Sequence, residues 1–501
     1  MHATDVAMSA NPIVRELGVP PEQFTKQGLM KFIEKSNIQM LNFRYAAGDG
    51  RLKTLNFIIT SRPQVDRILS AGERVDGSSL FSYIDAASSD LYVVPRYRTA
   101  FVNPFARAPT VDILCSYYTK EGTPVPSAPE HILRKAHRSL TQATGLTLDA
   151  MGELEFYVMF DSQHAYPTPA QKGYQESAPF CKWEQLRCEA MQAIARAGGQ
   201  IKYGHSEVGN ISGEDREMEQ HEIEFSPVAL EEAADQIAIA KWMLRMIGHK
   251  YGVTISLAPK IMVGHAGSGL HIHSKLMKNG KNVMIESGKL SEAARRMIAG
   301  YLTLAPSLTS FANTVPTSYL RLVPHQEAPT NICWGDRNRS VLVRVPLGWL
   351  GVNDMVRHAN PNETGDLPDY SDSQTVEFRC PDGSANVYLL LAGLAVAARH
   401  GFEMSDAPEV ADRLYVDVNI FSKEHKKVQA KLPQLPDSCY ESAQRLLEQR
   451  SIYEKDDVLP PGVIDEIGKT LQSYDDKGLS ERFYGKGIEI RRLVNEYLHC
   501  S

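Results

Sequence analysis

The chain has no tract of clustered lysine or arginine, and its formal net charge is −6, so no charge-driven attraction to nucleic acid is expected. It has no apolar run long enough to cross a bilayer. The longest, around Tyr388 to Ala398, has the length of a core helix. Its seven cysteines lack the spacing of a zinc site or a disulfide scaffold. An odd count without a signal peptide is what a reducing cytosol is expected to hold, so a cytoplasmic location is expected. There is no internal repeat. A phosphate-binding loop is absent too: Gly462 and Gly468 are separated by five residues, not four, and no strand precedes them. Gly468-Lys469-Thr470 is therefore expected on a helix surface. What remains is ordinary globular composition, 43% hydrophobic and 23% charged over 501 residues, enough for two or more domains.

Met1 to Gln27 is polar and proline-containing, an extension either packed on a domain or left mobile. From Gly28 a helix-like run (Leu29 to Ile33) leads into two alternating strands, Ile38–Phe43 and Leu52–Phe57, turning at Gly48-Asp49-Gly50. The proline-rich passage Pro104–Pro129 joins this small mixed domain to the rest. Val228–Gly252 has apolar residues at helical spacing, and strands are expected at Thr254–Leu257 and Val341–Val345. Gly209–Gln220 and His358–Ser373 read as surface loops, and the tail from Ala443 reads as mostly helical.

The chemistry concentrates between Glu153 and Glu377. Gly152-Glu153-Leu154-Glu155-Phe156 puts two carboxylates on one strand face. His205-Ser206-Glu207, Glu222-Ile223-Glu224-Phe225, Gly267-Ser268-Gly269-Leu270-His271-Ile272-His273 and Val376-Glu377-Phe378-Arg379 repeat the theme. Carboxylates with one imidazole suit magnesium or manganese better than zinc. Alone, this set is compatible with a phosphatase, a kinase-like ligase or plain ion binding. Arg321, Arg337, Arg339, Arg344 and Arg379 narrow it, because guanidinium forks beside metal-binding carboxylates suit a phosphoryl group moving toward a carboxylate.

These blocks, with Asp76-Gly77-Ser78-Ser79 and the stretch Val376–Tyr388, resemble the type I glutamine synthetases in the same order, from about Gly28 to the last helix. The resemblance implies an α+β fold: an N-terminal extension (1–27), a β-grasp-like domain (28–125) and a large catalytic domain (126–501) built on an antiparallel sheet with flanking helices. It implies ATP-dependent ligation of ammonia to the γ-carboxylate of glutamate through γ-glutamyl phosphate. Two Mg²⁺ or Mn²⁺ ions are expected, one on Glu155, Glu207 and Glu222, the other on Glu153, His271 and Glu377. Arg321 and Arg379 would grip glutamate, with the Gly267 backbone near its amino group. Arg339 and Arg344 would face the phosphates of ATP, and Phe225 and His273, with Glu207, would line the nucleotide side. Glu327 would be the flap residue that shields the acyl phosphate and accepts a proton from ammonium. Asp76, with Ser79 and Tyr174, would form the ammonium site, Asp76 arriving from a neighbouring subunit of two stacked hexamers.

The chain departs from the family at four places. Ala266 stands where an asparagine is usual, and Thr375-Val376 stands where an arginine usually precedes the glutamate, with Asp372 near a usual lysine. Ser274-Lys275 follows His273, and Lys275 is a candidate replacement for the lost positive charge. Asn419-Ile420-Phe421 lacks the tyrosine that some members modify by adenylylation, so that regulation is not expected. His205 and His221 read as structural, Arg337 as a partner of an acidic neighbour, and Asp76 alone would pass for a turn residue. Two competing readings remain: a γ-glutamyl-amine ligase using a polyamine or other primary amine, and a weakly catalytic structural or regulatory member.

Overall fold

The computed structural model describes residues 3–84, 89–163, 165–213, 216–323, 328–348, 355–366, 370, 372–483 and 486–500. The N-terminal extension is packed. Helix α1 (Pro12–Leu17) starts at Asn11, whose side chain accepts from the Ile13 N–H, and ends at Gly18 in the left-handed region. Ile13, Val14 and Phe24 are buried in the same core as α2 (Lys26–Lys35). That core lies under a sheet of β1 (Met40–Ala46), β2 (Leu52–Ile58), β3 (Glu73–Asp76), β4 (Asp90–Pro95) and β5 (Thr110–Tyr118), in the order β2–β1–β5–β4–β3. Strand β5 corrects the reading of 104–129 as a joining passage. Its residues Thr110 to Tyr117 are buried and it runs parallel to β1 in the middle of the sheet. The prolines flank the strand and do not interrupt it.

The second domain begins with α3 (Pro129–Thr144) and the long strand β6 (Thr147–Asp161). It continues through α4 (Glu184–Arg196), β7 (Ile201–Ser212), β8 (Arg216–Phe225), α5 (Leu230–Tyr251) and β9 (Leu270–Lys278). It then runs through α6 (Glu292–Ala312), β10 (Trp334–Asp336), β11 (Val343–Val345), β12 (Val376–Phe378) and α7 (Val387–Glu403). The strands form one mainly antiparallel sheet in the order β10–β11–β12–β9–β6–β8–β7. Helix α5 follows its sequence signals: Glu231 and Glu232 in the first turn, His249 and Lys250 in the last, and Gly252 as a left-handed cap. It packs on β6, while α7 is buried between α3 and α6. Among the described residues no single helix is long and apolar enough to cross a membrane.

The loop expected at Gly209–Gln220 is instead the paired end of a hairpin. Asn210 faces Glu219 and Ser212 faces Glu217, so the polar residues alternate along two strands. A run of glutamates hid the period-two pattern there. Residues 355–366 are exposed and include only a short helix, Met355–Ala359. Gly462–Thr470 lies inside the helix Pro461–Ser473, with Lys469 and Thr470 exposed and Gly468 buried against Leu447.

The two domains are tied by buried charge. Asp112 on β5 is fully buried, accepts from Asn42 at 2.8 Å and pairs with Arg44, whose guanidinium lies 3.7 Å over the Trp242 ring of α5.

Candidate active site

Strand register assembles the site. Glu153 and Glu155 share one face of β6, while Leu154 and Phe156 point into the core. Across the sheet, His271 pairs with Glu153, and Glu153 with Glu224. One rung along, Glu155 faces Glu222, which faces His205. On the other side His273 faces Glu377, which faces Arg344. Neighbouring rungs thus place most of the acidic and histidine residues read from the sequence on one wall of a cleft of about 1270 Å³. Gly267, Arg321, Arg339, Arg379 and Tyr174 also line it.

The contacts are close. Glu153 accepts from His271 Nδ1 and His273 Nε2, both at 2.9 Å. Glu377 accepts from Arg379 Nε at 3.0 Å and Arg344 Nη1 at 2.9 Å, and its carboxylate lies 3.5 Å from His271 Nδ1. Glu155 accepts from the Gly269 N–H at 2.6 Å and from Gln220 Nε2 at 3.2 Å. Arg321 is buried, donates to the Cys380 carbonyl at 2.8 Å and lies 3.4 Å from His271 Nε2.

Facing like charges on adjacent strands destabilise a sheet, and on this wall they disfavour the ionised form of Glu222. Burial, then the carboxylates of Glu153, Glu155, Glu207 and Glu224, push Glu222 well above the usual range. Burial acts on Glu153 in the same direction, but the His273 and His271 imidazoles hold it well below. Glu377 is lowered against its burial by Arg379, with help from both histidines. Among the described residues, three donor groups on this wall have atoms within 4.8 Å of one another: Glu153–His273–Glu377, His205–Glu207–Glu222 and Glu153–Glu222–Glu224. Oxygen donors in excess, with imidazole at the margin, fit a hard divalent cation, whose charge would relieve the repulsion at Glu222.

A family model described as the glutamine synthetase catalytic domain matches residues 126–469, and one for the glutamine synthetase beta-Grasp domain matches 37–120. The chain belongs to the glutamine synthetase family. It is 28% identical over 435 residues to the glutamine synthetase of Clostridium saccharobutylicum, covering 85% of this chain and 90% of that one. With the glutamine synthetase of Thermus thermophilus the identity is 28% over 444 residues, 86% and 91% of the two chains. The Plasmodium falciparum glutamine synthetase solved by cryoEM superposes with a TM-score of 0.73 at 18% identity, over 93% of this chain and 97% of that chain. The β-grasp and catalytic folds anticipated from the resemblance to this family are those the chain adopts.

Several side chains sit elsewhere than the family resemblance implies. Phe225 does not line the cleft. It alternates with Glu222 and Glu224 along β8, so its ring is fully buried in the core on the far face. His273, expected beside the nucleotide, is held by Glu153 and by Thr375 Oγ1 at 3.0 Å. Asp76 and Ser79 do not line this chain's own cleft, and the resemblance, which brings Asp76 from a neighbouring subunit, does not place them there. They close on each other at the end of β3, the Ser79 hydroxyl donating at 2.6 Å, and the Ser79, Ser78 and Ser89 hydrogen bonds lower the Asp76 pKa. Lys275 does not replace a missing cleft charge, because it is buried and paired with Asp372 at 2.8 Å. Glu327 lies outside the described residues.

Other residues join the site unannounced. His205 is not merely structural: it lines the cleft, 3.8 Å from Glu222, with the Tyr174 ring edge-on at 5.4 Å. Its alternation with Glu207 was the available signal. Arg337 also lines the cleft. Its φ of 57° is left-handed. His221 keeps its structural reading, stacked on Phe156 and bonded to Arg187 at 2.9 Å. Lys260, 1% exposed on the cleft wall, donates to the His265 carbonyl at 2.5 Å and had no sequence signal at all.

The loop over residues 258–268 is closed on itself at Gly267. A Cβ there would stand 2.4 Å from the Pro259 carbonyl oxygen and 2.9 Å from Arg321 Cγ. Gly267→Ala is expected to part that loop from Arg321 and lower the catalytic rate roughly a hundredfold, with an unchanged circular-dichroism spectrum. Steady-state kinetics beside the spectrum check it.

Proposed function

We propose that this chain joins ammonia to the γ-carboxylate of glutamate, driven by ATP, with the sheet wall and facing arginines as the reaction site. Membership of the glutamine synthetase family makes it an ATP-dependent ligase. The observation that carries the reading is the convergence of carboxylate and histidine rungs with Arg321, Arg339 and Arg379 in one cleft. In this reading Glu155, Glu207 and Glu222 would hold one Mg²⁺ or Mn²⁺, and Glu153, His271 and Glu377 a second. Bound there, these ions supply charge neutralisation for the transferred phosphoryl group.

The chain's own residues do the rest. Arg321 and Arg379 orient the glutamate, with Gly267 leaving room at its amino group. Arg339 is exposed on the cleft rim and faces incoming phosphate. Arg344, bonded to Glu377, keeps positive charge beside the same carboxylate. Glutamate's carboxylate becomes an acyl phosphate, which water would destroy, and Glu327 excludes water and takes the ammonium proton. Asp76 and Ser79 complete the ammonium site with Tyr174, contributed by a neighbouring subunit of a dodecamer of two hexameric rings. A cytoplasmic location fits this chemistry.

The shared site has a direct test. Asp76→Ala is expected to raise the ammonium requirement at least about tenfold and leave that for glutamate within about twofold. At ammonium concentrations too low for Asp76→Ala to turn over well, co-assembling it with inactive Glu222→Gln subunits should raise activity, because some clefts then receive both wild-type halves. No rise, with mixed oligomers verified, removes Asp76 from a neighbour's cleft.

A further inference from the structure

Gln220 does not line the cleft, yet it bonds two elements that do. It lies on β8 two residues before Glu222, on the same strand face, opposite Tyr157 of β6, and is only 1% exposed. Its Nε2 donates to the Gly267 carbonyl at 3.0 Å and to Glu155 Oε2 at 3.2 Å, with the Ser268 hydroxyl at 3.5 Å. Its Oε1 accepts from the Gly209 N–H at 3.0 Å, which sets the direction of the amide. The Gly209 backbone comes so close that a Cβ there would stand 2.4 Å from this oxygen and 2.1 Å from the Tyr157 hydroxyl. The amide is thus anchored by backbone on one side and directs its two hydrogens toward the site on the other.

Both acceptors bear on the reaction site. Glu155 Oε2 also accepts from the Gly269 N–H at 2.6 Å, so two donors fix that oxygen. Oε1, with no hydrogen-bond donor among the described residues, is the oxygen left for a cation; it lies 3.9 Å from His271 Nε2. The Gly267 carbonyl belongs to the 258–268 loop. That loop is also held by the Tyr157 hydroxyl, which donates to the Ala266 carbonyl at 2.9 Å, and by Gln171 Oε1, which accepts from the Ala266 N–H at 2.7 Å. Gln171 bonds the loop without touching Glu155, whereas Gln220 bonds both.

We propose that Gln220 is a positioning residue that fixes a cation ligand and the glutamate loop in one register, so that the two binding sites are shaped together. The inference rests on the reading of Glu155, Glu207 and Glu222 as one cation site and of Gly267 beside the glutamate amino group. A hydrogen-bond partner behind a metal ligand is typically worth about ten- to a hundredfold in metal affinity.

Calorimetry on the full-length oligomer, with Mg²⁺, glutamate and ADP as separate probes, compares the wild type with Gln220→Met and Gln171→Met. Gln220→Met, close in length and without a donor, should weaken one of the two Mg²⁺ steps about tenfold and leave the other within about threefold. It should weaken glutamate about tenfold and leave ADP, at saturating Mg²⁺, within about twofold. Gln171→Met should weaken glutamate and leave both Mg²⁺ steps as they are. In the wild type, Mg²⁺ alone should slow amide hydrogen exchange over residues 258–267, a measurement that needs no variant to fold. The proposal falls if Gln220→Met binds Mg²⁺ as the wild type does, or if it loses both Mg²⁺ steps and ADP alike. It also falls if Gln171→Met weakens Mg²⁺ as much, or if wild-type exchange ignores Mg²⁺. A wild type that binds neither Mg²⁺ nor glutamate refutes the reading of the cleft itself.

Discussion

Glu222→Gln should abolish glutamine formation and, in the same protein, make the metal-free state more resistant to heat at neutral pH. The first effect follows from its place on the acidic wall, between Glu155 and His205. Losing a donor where phosphoryl charge is neutralised is expected to cost roughly a thousandfold in rate, about 4 kcal/mol. The second follows from repulsion. Glu222 has its pKa raised by burial and four neighbouring carboxylates. The stability associated with its neutral form is complete below the unfolded carboxyl pKa, about 4.3, and is lost as pH rises through the folded value. At pH 7 the unfolded carboxyl is ionised while the folded site disfavours its charge, a cost that the amide removes. Saturating Mg²⁺ should raise the wild-type melting temperature by more than that of the variant, which keeps only the second proposed cation site. Thermal scans at pH 7 with and without Mg²⁺ check this. A variant that melts lower without metal, yet gains as much from it, contradicts the assignment of Glu222 to a cation site.

Asp112→Ala should destabilise the N-terminal domain by about 3–5 kcal/mol, the range for stranding one member of a buried ion pair. Asp112 is fully buried and is the acceptor for Arg44, Asn42 and Asn103. Its loss leaves the Arg44 guanidinium against Trp242 without a carboxylate. Because that stacking joins the two domains, the damage should reach α5. Asp49→Ala, which breaks the exposed pair with Lys53 at 2.8 Å, should change stability by less than about 0.5 kcal/mol. Denaturant titration at one protomer concentration compares them. Equal, small effects would show that Asp112 does not hold the domain together.

Which strand residues share a face was legible in the sequence; which strands pair was not. Glu153 and Glu155, or His271 and His273, needed only the two-residue period of a strand to be placed on one face. The register that sets His271 against Glu153 and Glu155 against Glu222 depends on long-range pairing, which no local pattern encodes. The same gap explains Phe225. Its neighbour Glu222 lines the cleft and Glu224 shares that strand face, and alternation alone sends the ring to the core. His205 and Arg337 were undervalued because single residues carry no period; only the hairpin partner of His205 and the left-handed backbone of Arg337 bring them to the cavity. The Gly209–Gln220 hairpin was read as a loop because glutamate-rich strands lack the apolar alternation that marks a half-buried sheet. Strand β5 was masked by its flanking prolines, although Val111, Ile113 and Cys115 share one buried face.

Phosphate release by the purified full-length oligomer, with ATP, Mg²⁺ and glutamate, measured as ammonium or one primary amine at a time is added, bears most directly on the proposed reaction. Turnover that requires both metal and glutamate and is selective for ammonium is the predicted result. Selectivity for a larger amine would contradict ammonia as the nucleophile, and silence with every amine, in Mn²⁺ as in Mg²⁺, would contradict catalysis by this cleft.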